Sequence, residues 1–288
     1  VFSELAASDS VEGSVSFEGL SMPDEAPLPQ IGGSLEREDI FGLCDVRVTE
    51  NPPSSWNAIW KQVDRCYRLR MLSPTHCVEA SNGPGQRTLN ESGRRVRYLD
   101  SIRRGENLQS TFVAIHEPCV GNHDMPIQDA QRLEVPPIAG EKAVAIKILS
   151  TWGEYIILSE FAEEAIIDGI RFQGRFGVFC RPSGKSAWLF ALGAKTLMRD
   201  TLGFADARPE WRGEVEKNTD VIVVSTTLKP DKWLDAPEGV QNYVIASDGK
   251  YTTGFPLAET GEKEIYTKRF PLPRLNTFEV LAVQYMKE

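Results

Sequence analysis

A chain of 288 residues and 32.1 kDa exceeds one average domain and is long enough to bury a sizeable core. With 41% hydrophobic and 25% charged residues, a mean hydropathy of −0.29 and no apolar run of bilayer-spanning length, it excludes a membrane-spanning helix, a collagen-like repeat and a wholly disordered protein. The net charge of −9 is concentrated: residues 1–40 hold nine acids against Arg37 alone, so the body is close to neutral and sequence-independent nucleic-acid binding is not expected.

Residues 1–35 are rich in Ser, Gly, Pro and acid, a composition that buries little, and they read as an extended acidic lead-in. From residue 36 the signals are strand-like. Val144, Ile146 and Ile148 alternate with Ala143, Ala145 and Lys147; Phe176 and Val178 alternate with glycines; Trp188 and Phe190 alternate with smaller residues. Asn82-Gly83, Ser183-Gly184, Glu238-Gly239 and Asp248-Gly249 are pairs that close β connections. Only Glu160 to Ile167 has helical composition, and it ends at Asp168-Gly169, so strand and turn fit it equally. Gly, Pro and charge gather between Asp200 and Trp211, and further strand candidates follow at 221–224, 242–246 and 278–283. The expected fold is all-β: an antiparallel β-sandwich over 36–205, followed by a small second β domain over 206–288.

The five cysteines, Cys44, Cys66, Cys77, Cys119 and Cys180, are odd in number and show no C-x-x-C spacing, so a disulfide framework is not indicated. The first residues, VFSELAASDS, have neither the basic start nor the apolar stretch of an export signal, and the missing initiator Met suggests a processed or excised segment. No Gly-rich phosphate-binding fingerprint occurs, and Gly105 reads as a hairpin turn.

Four stretches resemble the β-sheet domain of heparinase II/III-like polysaccharide lyases, in the expected order. They are WKQVDRCYRLRML (60–72), PGQR (84–87), RRVRYLDSIRRGENLQSTFVAIHEP (94–118) and DGIRFQGRFGVF (168–179), the last followed by the strand from Trp188 to Leu197. The resemblance covers roughly Trp56 to Leu197. It implies a two-part enzyme in which a helical toroid and a β-sandwich hold an acidic polysaccharide between them, with the present chain as the β-sheet part only. It therefore implies acidic polysaccharide and a helical toroid domain or chain as partners, no nucleic acid or membrane partner, a periplasmic or secreted location, and an isolated chain without activity. The alternative is a non-catalytic carbohydrate-binding β-sandwich module, or a β domain that only supports folding.

Eliminative cleavage of a uronate-containing glycan requires three jobs: neutralising the carboxylate, removing the α-proton and protonating the leaving oxygen. A tyrosine serves as base only when neighbouring positive charge favours its phenolate. Tyr98, with Arg94, Arg95, Arg97, Arg103 and Arg104 nearby in sequence, falls where the resemblance implies a catalytic tyrosine; the competing reading packs it in the core beside Val96 and Ile102. His116, at the end of the apolar run 112–115, is a candidate for contacting the carboxylate, against the alternative of an imidazole bonded to backbone. Arg87, Arg103 and Arg104 are candidates to hold sulfate or carboxylate. Trp56, Trp60, Trp152, Trp211 and Trp233 are available to stack on sugars or to fill the core. No cofactor is expected: His116, Cys119 and His123, with Asp124 adjacent, have ligand types for zinc, but they lack the paired knuckles of structural sites, and a polar loop is the preferred reading.

Overall fold

The computed structural model describes residues 14–23, 44–61, 65–84, 95–120, 125–205, 210–218, 221–225, 243–248, 250, 252–267, 276–281 and 283–287. Among these the fold is all-β, with one short 3₁₀ turn at Pro137–Ala139. Two compact units divide the chain at Ile127/Gln128.

The first unit is a two-sheet sandwich. Strands β1 (Ser14–Glu18), β3 (Trp56–Lys61), β4 (Arg65–Met71) and β7 (Ala114–Val120) form a four-stranded sheet in the order β1-β3-β4-β7. Strands β2 (Cys44–Glu50), β5 (Cys77–Pro84) and β6 (Arg95–Ile102) form a three-stranded sheet in the order β2-β5-β6. Alternation sends Trp56, Ala58, Trp60, Leu69 and Met71 of one sheet and Val78, Ala80 and Leu99 of the other into a single core. Ser14–Glu18 joins this core despite its polar surroundings, because Val15 and Phe17 alternate on a strand paired with β3, and Leu20 is buried beyond it. Asn82-Gly83 lies inside β5, where its residues pair with Arg97 and Val96, and not in a turn. Gly105 begins an exposed crossover from β6 in one sheet to β7 in the other, so it closes no hairpin.

The second unit is built on long strands: β8 (Ile127–Arg132), β9 (Val144–Ser150), β10 (Gly153–Ile167), β11 (Ile170–Pro182), β12 (Trp188–Arg199) and β13 (Leu202–Phe204). They run in the order β13-β12-β11-β10-β9-β8. Rungs such as Ile156–Phe179–Leu189 place apolar residues side by side on one face, and that face carries the core of the sheet. The stretch Glu160 to Ile167 is strand. It ends in a tight turn in which Asp168 (φ 48°) and Gly169 (φ 78°) take the left-handed conformations that two-residue hairpins require. Register shifts between Phe161 and Ala165 and between Gln173 and Gly174 bend the neighbouring strands β10 and β11. Gly174 (φ 155°) is required at the second, since a Cβ there would lie 2.5 Å from the Cα of Ala194.

A closed barrel follows, with β14 (Glu210–Asn218), β15 (Ile222–Val224), β16 (Tyr243–Ser247), β17 (Thr252–Thr260), β18 (Glu264–Thr267) and β19 (Thr277–Leu281) in the order β14-β15-β18-β17-β16-β19. Ile222, Val224, Ala246, Phe255, Ile265 and Phe278 fill it. The last strand, β20 (Val283–Lys287), leaves the barrel and pairs with β12 in the large sheet.

Candidate functional site

The sequence-derived candidates separate in the fold. Tyr98 follows the alternation of β6: Leu99 enters the core, so Tyr98 leaves on the outer face of the three-stranded sheet, opposite Ser81, and is half-buried there. It therefore belongs neither to the sandwich core nor to the sheet that carries His116. Arg104 is engaged locally, its amide donating to Nδ1 of His76 at 2.7 Å and its guanidinium lying 3.4 Å from Cys77 Sγ and 3.6 Å from Glu50. Arg103 is half-buried at the end of the same strand. Arg87 and His123 lie outside the described residues. His116 and Cys119 are three residues apart on the regular strand β7, so they emerge on opposite faces and do not converge on one ion. Among the described residues no group of three or more His, Cys, Asp or Glu gathers in a metal-binding arrangement.

His116 lies within the edge strand β7, opposite Leu69, and is exposed. Its partner is Tyr67, two residue pairs further along β4 and so on the same face: the Tyr67 hydroxyl and His116 Nδ1 share a hydrogen bond, and the two rings lie 5.8 Å apart between centroids. Tyr67 is in turn packed edge-on against Trp60 at 5.5 Å. A line of rings thus runs from the buried Trp60, through half-buried Tyr67, to the exposed imidazole of His116. Arg65, exposed and two residues before Tyr67, lies on the same face of β4. With its imidazole neutral and protonated at Nε2, His116 accepts from the phenol; transfer of that proton yields a phenolate beside an imidazolium. Such a pair can hold or release a proton at the sheet edge.

The opposite face of the same two strands carries a buried ion pair. Arg68 and Glu117 are directly opposed; Arg68 Nε donates to Glu117 Oε2 at 2.7 Å, and the Glu117 side chain is 5% exposed. Glu117 Oε1 accepts from the Ile127 amide at 2.7 Å, while the Arg68 guanidinium donates to the Ile127 carbonyl at 2.5 Å. Both charges are thereby hydrogen-bonded out of water, the condition under which a buried ion pair is tolerated.

Of the tryptophans, Trp56 and Trp60 are core residues, whereas Trp152 is 64% exposed at the β9–β10 turn; the side chains of Trp211 and Trp233 lie outside the described residues. The second unit also carries a groove of about 740 Å³ that the sequence did not reveal. Lys142, Lys195, Arg175 and Arg212 line it together with Glu141 and Glu160. Arg175 and Arg212 are both held by Glu279, at 2.7 and 2.9 Å. Glu160 takes a left-handed backbone (φ 59°) beside the β10 bulge, so the groove floor is made where the two strands bend. No protein-family model, curated protein or solved structure matches the chain.

Proposed function

We propose that this chain is the β-sheet portion of a heparinase II/III-like polysaccharide lyase acting on acidic, uronate-containing glycans by β-elimination, with Tyr67 and His116 as its proton-transfer pair. The observation that carries this reading is the hydrogen bond between half-buried Tyr67 on β4 and exposed His116 on the edge strand β7, with Trp60 packed against Tyr67. The phenolate form takes the proton α to the uronate carboxylate, and the resulting carbanion expels the glycosidic oxygen; the imidazolium holds the proton displaced from the phenol. Arg65 on the same face supplies a guanidinium suited to the substrate carboxylate. A helical toroid, as a further domain or a separate chain, provides the second wall and the remaining acid. The isolated chain has negligible turnover, because one wall cannot hold the sugar against the pair.

The test is the ultraviolet absorbance of unsaturated uronate ends formed from heparan sulfate, hyaluronan or alginate. The reading expects none from the isolated chain and release once the helical partner is supplied. Rapid release by the purified chain alone, or saturated product ends with the partner present, contradicts it. The second reading, a glycan-binding module without chemistry, is favoured by the groove of the second unit, which is lined by Lys142 and Lys195. It expects salt-sensitive binding of an acidic glycan that weakens in a Lys142→Ala/Lys195→Ala variant, with no unsaturated ends under any condition.

A further inference from the structure

We propose that Cys66 and Cys119 form a reversible disulfide that joins β4 to the edge strand β7. The two are directly opposed in the antiparallel register and their side chains hydrogen-bond to one another. Directly opposed residues in an antiparallel pair have Cα atoms about 4.5 or 5.5 Å apart, and both values fall within the roughly 4.4–6.8 Å window that disulfides occupy. The register is unbroken from Arg65–Val120 to Met71–Ala114, so no strand needs to slip for the bond to form. Both thiols are half-exposed, within reach of a small reagent.

The remaining described thiols are differently placed. Cys77 and Cys180 are buried, and burial pushes both above the ordinary thiol range; Cys77 is bonded by Arg104 and Cys180 by Tyr155. Desolvation also raises Cys119.

The co-reactant is a low-molecular-weight disulfide such as oxidised glutathione. The Cys66 thiolate attacks one of its sulfurs, forming a mixed disulfide and expelling one glutathione thiolate. The Cys119 thiol then gives up its proton and attacks Cys66 Sγ, forming the protein disulfide and expelling the second thiolate. Two protein thiols are oxidised and one small disulfide is reduced to two thiols. The new bond sits beside both Tyr67–His116 and Arg68–Glu117, so it fixes the edge strand on which those pairs depend. It closes the chain between residues 66 and 119, a segment long enough for cross-linking to stabilise the fold through the unfolded state.

Incubating the full chain with oxidised glutathione and mapping its peptides without reductant tests this. A species joining the Cys66 and Cys119 peptides, released by dithiothreitol, is expected, and the oxidised protein melts roughly 5 °C or more above the reduced one. That difference vanishes in both Cys66→Ser and Cys119→Ser chains. Recovery of both thiols free, each separately glutathionylated, or joined to other cysteines overturns the proposal, as does an oxidised form that melts no higher than the reduced one.

Discussion

Tyr67 shows why part of the site escapes a reading of the sequence. Its partner His116 is 49 residues away, and only the β4–β7 register brings the two side chains to one face. The run Arg65-Cys66-Tyr67-Arg68-Leu69-Arg70-Met71 does contain the signal, since it alternates with Leu69 and Met71 inward and so assigns Tyr67 to their face. Arg97, adjacent to Tyr98 in sequence, leaves on the opposite face of the strand, so closeness along β6 does not bring its guanidinium to the phenol. His116 was legible as a residue near a sheet edge, although it stands within β7 and not at its exit. A direct check at this scale follows the His116 ring by NMR. Tyr67→Phe removes the hydroxyl at Nδ1 and shifts the His116 ring signals, whereas Tyr98→Phe leaves them in place; equal effects from the two variants contradict the pairing.

Strands were better read than their ends. The runs 143–148, 176–178 and 188–190 do fall in β9, β11 and β12, but the core face carries their alternate neighbours Ala143, Ala145, Gly177, Phe179, Leu189 and Ala191, while Ile146, Phe176, Val178, Trp188 and Phe190 are half-buried on the other face. Asn82-Gly83 failed as a turn because β5 is paired on both sides, so the ladder overrides the local preference. Arg68–Glu117 governs the stability of the β4–β7 edge. Glu117→Ala leaves a largely buried guanidinium without its carboxylate and is expected to cost about 3–5 kcal/mol in denaturant unfolding, while the paired change Arg68→Met/Glu117→Leu recovers most of it. The sheet of the second unit has a pH signature. Lys147 is bonded to Asp168 at 3.0 Å and to Glu154 at 3.1 Å, and these bonds raise its pKa above the ordinary 10.5. Because the folded value is the higher, this contribution is fully present below about 10.5 and is lost as the pH rises through the folded value. Lys147 is partly exposed, so the contribution is about 1 kcal/mol or less. Stability scans should show an alkaline decline that is shallower in Lys147→Met; identical declines contradict the assignment.

At the scale of the molecule, the all-β architecture was legible because turn pairs and alternating runs recur along most of the chain. Its partition was less so. The units meet at Ile127/Gln128, within the stretch 36–205; Gly121 and Pro126 lie just before that point, but the break expected from sequence was placed at the larger Gly, Pro and charge cluster between Asp200 and Trp211. The barrel of β14 to β19 is likewise hidden in sequence, since closure depends on β14 pairing with β19 across more than 60 intervening positions. The function proposed for the chain depends on a second wall, and the measurement that bears on it most directly is the rate of unsaturated-end formation on an acidic glycan by the complete enzyme containing this chain. With the native residues, absorbance from unsaturated uronate rises; with Tyr67→Phe it falls by about 10²–10⁴-fold while glycan affinity is retained. Full turnover by the Tyr67→Phe enzyme would contradict the account.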